Sequence, residues 1–183
     1  NDDGTNEVTF TDAGNNPPSG VQLRYWLREE PEGTVELEFL DSEGNVVKRF
    51  DSEQSDDKRE PSVSKKAGAN RFIWNMQAEG PTPLESSGGP AAFGGVQAGP
   101  VVVPGTYRAR LKVNGQTYET EFEIVPDPRS ESTIDDYRAQ FELHSRVNAK
   151  LSEVNEAINT IRRVKKQADS WAERSSDEGI KEA

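Results

Sequence analysis

Two runs of alternating character, residues 106–113 and 117–125, flank Asn114-Gly115, a pair that tolerates the positive φ a two-residue β-hairpin turn requires. Upstream, Gly68-Ala69-Asn70-Arg71-Phe72-Ile73-Trp74-Asn75 reads as another strand, and Pro104-Gly105-Thr106-Tyr107 leads into the hairpin. Together they have the pattern of the closing half of an all-β sandwich, with Trp74, Tyr107 and Phe122 as core anchors and Gly105 in a tight turn. In the last strand Tyr118, Thr120, Phe122 and Ile124 share one face. Glu119, Glu121 and Glu123 are expected to face water.

The first half repeats the alternation. Val21, Leu23, Tyr25 and Leu27 interleave with Gln22, Arg24 and Trp26, and Val35, Leu37 and Phe39 interleave with Glu36 and Glu38. Asp41-Ser42-Glu43-Gly44-Asn45 then turns the chain into a strand over 46–50, with Gly44 supplying a positive φ. Residues 51–67 are charged and offer few core side chains, so part of this loop is expected to be mobile. Residues 79–100, rich in Gly and Pro with Phe93 as their one aromatic, read as a flexible insertion.

The pattern changes after Pro126 and Pro128. From Thr133 to Ser176 there is neither Gly nor Pro, and apolar residues recur every three or four positions. Val147, Leu151, Val154, Ile158, Ile161 and Val164 form the centre of that stripe. A straight helix of this length would reach about 65 Å, more than one sandwich face can cover. The stripe therefore demands another helix, from the same protein or from a second copy in a homodimer. A bend near Asn148, giving a helical hairpin, is the alternative, and Ser175-Ser176-Asp177-Glu178-Gly179-Ile180 has the look of a turn opening a second helix. The expected division is a linker over 1–19, a β-sandwich of immunoglobulin-like (fibronectin III-like) type over 20–128, and a helical segment over 129–183.

Composition narrows the partners. The net charge of −11 opposes binding to phosphate backbones or anionic lipid, which argues against nucleic acid, and no apolar run approaches the roughly 18 to 20 residues of a membrane span. Residues 1–129 hold 13 Lys and Arg against 22 Asp and Glu, so the acidity belongs to the β region. Without cysteine there is neither a disulfide framework nor a thiolate metal site. With no Met and no apolar leader at its start, the chain reads as a piece of a longer product.

Chemistry-bearing clusters are sparse, and no cofactor or metal is expected. His144, the single histidine, lies on the apolar stripe and reads as a packing residue. Asp51, Glu53, Asp56 and Asp57 lack the spacing of a calcium loop and are interrupted by Lys58 and Arg59. Glu119, Glu121 and Glu123 would line one strand face, as a glycosidase needs, yet no aromatic-walled cleft accompanies them. Trp26 and Phe93 are the candidate glycan contacts.

The order of Asn16-Pro17-Pro18-Ser19-Gly20-Val21, the hairpin over 35–50, Gly68 to Asn75, Pro104-Gly105-Thr106-Tyr107 and Asp127-Pro128-Arg129 resembles the C-terminal region of a group of bacterial exported proteins. Those proteins, often labelled glycosyl hydrolase or sialidase-like, carry sortilin-like bacterial neuraminidase repeats in an upstream β-propeller. The pairing of strand-Trp-Asn with Pro-Gly-Thr-Tyr is also similar to the immunoglobulin-like domain of flagellar hook-capping proteins and to cell-surface sorting modules. The resemblance implies an extracellular or periplasmic location, a propeller of the same protein as partner, and no catalytic residue in this segment. It implies a non-catalytic accessory module; a carbohydrate-binding module and a fragment of a glycoside hydrolase are the two alternatives.

Overall fold

The computed structural model describes residues 18–53, 61–85 and 98–174. Six strands precede one helix: β1 (Val21–Leu27), β2 (Glu36–Leu40), β3 (Val46–Asp51), β4 (Gly68–Trp74), β5 (Gly105–Val113), β6 (Gln116–Ile124) and α1 (Ile134–Arg174). They form two antiparallel sheets. One is the pair β1-β4, and the other has the order β3-β2-β5-β6.

Alternation along each strand puts one side of each sheet against the other. Val35, Leu37, Phe39, Phe50, Tyr107 and Ala109 meet Phe72 and Trp74 in a buried cluster. The Phe39 ring stacks on Trp74 at 4.2 Å between centroids, and Phe50 contacts Phe72 at 4.7 Å. Truncating such a buried aromatic to Ala costs about 3–5 kcal/mol, so these contacts dominate the stability of the β body. The expected anchors behave accordingly: Trp74 and Tyr107 are buried, and Phe122 packs on the cluster from its rim.

The turns follow their sequences. Asn114 and Gly115 both adopt positive φ between β5 and β6, and Gly44 does so between β2 and β3. Asp41 closes the latter turn, its Oδ1 accepting from the amides of Glu43 at 2.9 Å and Asn45 at 2.8 Å. Gly105 opens β5, paired with Ile124, with a φ of +156° just after the bend at Pro104. Gly20 is required for a different reason, since a Cβ there would lie 2.2 Å from the Trp74 carbonyl oxygen.

Two segments read as loose are tied down where described. Val63 is buried in the core, and its amide donates to the Asp51 carbonyl at 2.7 Å. One apolar side chain in an otherwise polar loop is enough to anchor it, which the mean composition hides. Residues 79–85 run as an extended strap from β3 to the helix. The Glu79 amide donates to the Val47 carbonyl at 3.1 Å and its carboxylate pairs with Lys48 at 2.8 Å.

The helix is continuous for 41 residues, about 60 Å, with no bend into a hairpin. Its start is capped reciprocally: the Thr133 amide donates to Asp136 Oδ2 at 2.8 Å, and the Asp136 amide donates back to Thr133 Oγ1 at 3.3 Å. The Thr133 hydroxyl, donating to Asp136 Oδ2 at 2.7 Å, and the Thr133 amide together hold the Asp136 carboxyl below its ordinary range. The second helix expected from Ser175 onward, the patch at Val8 to Phe10 and all but the last two residues of the linker over 1–19 lie outside the described residues.

Candidate functional site

The helix has two faces of opposite chemistry. The face turned to the β body is polar: Asn148, Ser152, Asn155 and Asn159, at intervals of four, three and four, with all three asparagines buried. Phe141 continues this face and touches the core. An Asn amide carries a donor and an acceptor side by side, the same pair a neighbouring strand would present to an extended backbone. The strap needs such partners, because Pro81 and Pro83 deprive it of two amide donors and, among the described residues, no strand pairs with it beyond Glu79.

The bonds run along both partners. Ser152 Oγ accepts from the Thr82 amide at 3.0 Å, and Asn155 Nδ2 donates to the Thr82 carbonyl at 2.7 Å. Asn159 makes two contacts, donating to the Pro83 carbonyl at 3.0 Å and accepting from the Glu85 amide at 2.9 Å. Arg162 Nη1 adds the Glu85 carbonyl at 3.0 Å, and Asn148 Nδ2 reaches the Ala98 carbonyl at 3.3 Å. A groove of about 420 Å³ lies between this face and the β2–β3 turn, lined by Asp41, Asn45, Glu79, Phe141 and Ser145 among others.

The other face carries an exposed apolar stripe, interrupted by Lys150. Leu143, Val147, Val154, Ile161, Val164 and Trp171 are between 48% and 72% exposed. Their spacing of four, seven, seven, three and seven is that of a coiled-coil seam. Four of the six residues expected to form the association surface are therefore on it: Val147, Val154, Ile161 and Val164. Leu151 and Ile158 are half-buried, turned toward the flank of the polar face. His144 is exposed rather than packed. The stripe is what the sequence makes legible; the polar face is not, because an Asn in a helix reads as a weak breaker until its partner is known. The heptad spacing of Asn148 and Asn155, one turn from Asn159, is the available signal.

The outer side of the larger sheet carries a charge lattice. In the row Glu119, Arg110, Glu38, Arg49, each residue is the register partner of the next. Arg110 Nε meets Glu119 at 2.6 Å, and Glu38 receives Arg49 at 2.8 Å, Lys112 at 2.9 Å and Arg110 at 3.3 Å. Glu38 lies on the face opposite Val35, Leu37 and Phe39, as its alternation predicts, yet is 1% exposed, covered by these long side chains. Burial alone would raise its pKa, but Lys112 and Arg49 outweigh burial and hold the carboxyl below its ordinary value. Glu119 is likewise a lattice member, paired with Arg110 and, at 3.8 Å, Arg108.

Trp26 stands exposed on the outer side of β1, whereas Phe93, Asp56 and Asp57 lie outside the described residues. Among the described residues no three His, Cys, Asp or Glu side chains converge to hold a metal, and no helix is long and apolar enough to cross a membrane. The chain matches no protein-family profile, no characterised protein and no solved structure.

Proposed function

We propose that this chain is a non-catalytic assembly module, its β body of immunoglobulin-like type presenting the long helix for association with a second copy of itself. The observation that carries the reading is the apolar seam left exposed on a helix already anchored by its opposite, polar face. Each Val, Ile or Leu buried from that seam contributes about 1.5–3 kcal/mol, so a helix pairing along it has ample driving force.

The sandwich motifs and their order support placing the module after the propeller of an exported protein, in the periplasm or outside the cell.

Light scattering across a concentration series tests the assembly. A dimer that becomes a monomer in Val154→Glu/Ile161→Glu, with an unchanged β-sheet circular dichroism spectrum, is the expected result. A monomer at every concentration up to about 1 mM, the weak limit of specific pairing, would rule out self-association through the helix.

A further inference from the structure

The outer side of the β1-β4 sheet differs in charge from the rest of the protein. Residues 18–28 and 61–78, which contain both strands, carry Arg24, Arg28, Lys65, Lys66 and Arg71 and not one Asp or Glu, in a chain whose net charge is −11. Arg24 and Arg71 are register partners, directly opposite each other on that side. Both are exposed, and neither has an ion pair or hydrogen bond among the described residues. Like charges placed opposite each other weaken a strand pair. The larger sheet of the same molecule handles its cations differently, giving Arg49, Arg110 and Lys112 a common carboxylate in Glu38.

Trp26 stands next to this pair. Its register partner is Ala69, whose small side chain leaves the indole face open, and the ring is 67% exposed. Together these residues border a shallow groove of about 540 Å³. An anion held by two guanidinia beside a flat aromatic surface matches one ligand shape: a sugar ring lying on the indole with a carboxylate or sulfate substituent directed at the arginines. A bilayer would call for several protruding apolar side chains, and this side has the exposed Trp26 with only the half-buried Ile73 and the small Ala69. A nucleic acid would bring its phosphates against the acidic remainder of the surface.

We propose that Trp26, Arg24 and Arg71 form a binding site for an anionic saccharide. The site is independent of the helix seam, and its occupancy does not require assembly.

The test uses the whole chain at low salt in titration calorimetry, with three probes: an oligogalacturonate, a heparin oligosaccharide and a neutral cello-oligosaccharide. Saturable binding of one or both acidic probes, and none of the neutral one, is expected. The carboxylated and sulfated arms decide which anion is preferred. Arg24→Gln and Arg71→Gln should each weaken binding about tenfold, the worth of one charge-assisted hydrogen bond. Trp26→Ala should abolish the indole fluorescence change on binding, with Trp74 and Trp171 retained as internal references. Because all three side chains project to solvent, unchanged circular dichroism is expected, and Arg24→Lys provides a second, milder variant. Failure of both acidic probes to bind at millimolar concentration, equal affinity for the neutral sugar, or tighter binding to anionic vesicles or an oligonucleotide would each overturn the proposal.

Discussion

Glu38 shows how a single residue can take on a role its strand position does not announce. It is a carboxylate buried under three cations, so its removal leaves Arg49, Arg110 and Lys112 crowded without a counter-charge. Glu38→Ala should lower stability by about 3 kcal/mol at pH 7 in chemical denaturation. The pH dependence follows from its lowered pKa. The stabilising effect is fully present above the ordinary carboxylate range, about pH 4.3, and is lost as the pH falls through the lower folded value. Glu38→Gln should therefore flatten the decline of stability below about pH 4.5, and an acid profile identical to that of the unaltered protein would contradict the assigned role. Gly20 is the steric counterpart. With φ at +116° and no room for a Cβ against the Trp74 carbonyl, Gly20→Ala should cost about 3 kcal/mol, readable as a drop in the denaturation midpoint.

At the scale of elements, the strap and the helix hold each other. Beyond Glu79, which bonds to Val47 of β3, the strap's described hydrogen bonds go to the helix, and the centre of the helix face that meets it is polar. The Asn159 amide binds the strap on both sides of Leu84, so Asn159→Ala should strip partners from the Pro83 carbonyl and the Glu85 amide together. Hydrogen exchange at the Glu85 amide should quicken by at least tenfold, while amides in β5 and β6 keep their protection; a loss of about 1–3 kcal/mol from one buried bond underlies that figure. Unchanged exchange at Glu85 would mean that the ladder does not hold the strap. The flexible insertion expected from the Gly and Pro content of residues 79–100 fails over 79–85 for this reason. Composition records what the segment cannot do for itself and not what a helix some 70 residues downstream supplies.

For the whole molecule, the helix extends a seam well beyond the face that anchors it. Self-association has a geometric signature besides mass. The chain has no cysteine, so Glu173→Cys provides a single attachment point for a spin label near the exposed end of the helix. Antiparallel pairing with the two seams coincident along their length places two such labels about 45 Å apart, and parallel pairing brings them within about 15 Å. A pulsed dipolar measurement giving the long distance supports the antiparallel arrangement. The short distance identifies the parallel one, and the absence of any dipolar coupling would mean that the seams do not meet.

The strands, their inward faces, the two hairpin turns and the extent of the helix were legible because each is written in a local period, two for strands and near 3.6 for helices, with Gly, Asn and Pro as punctuation. Trp26, Val147, Val154, Ile161 and Val164 were legible as exposed or associating residues on the same basis. What local periods cannot encode is which faces meet. The burial of Glu38 depends on long cationic side chains from β3 and β5, and that of Val63 on a place left in a core assembled from both sheets. The polar docking of the helix depends on two segments separated by about 70 residues finding complementary backbone and amide groups. The sequence by itself determined the elements and the existence of an apolar stripe in want of cover. Only the tertiary structure decided that the helix would turn its asparagines inward and leave that stripe outside, because the strap's buried backbone groups need the hydrogen-bond partners that Ser152, Asn155 and Asn159 supply.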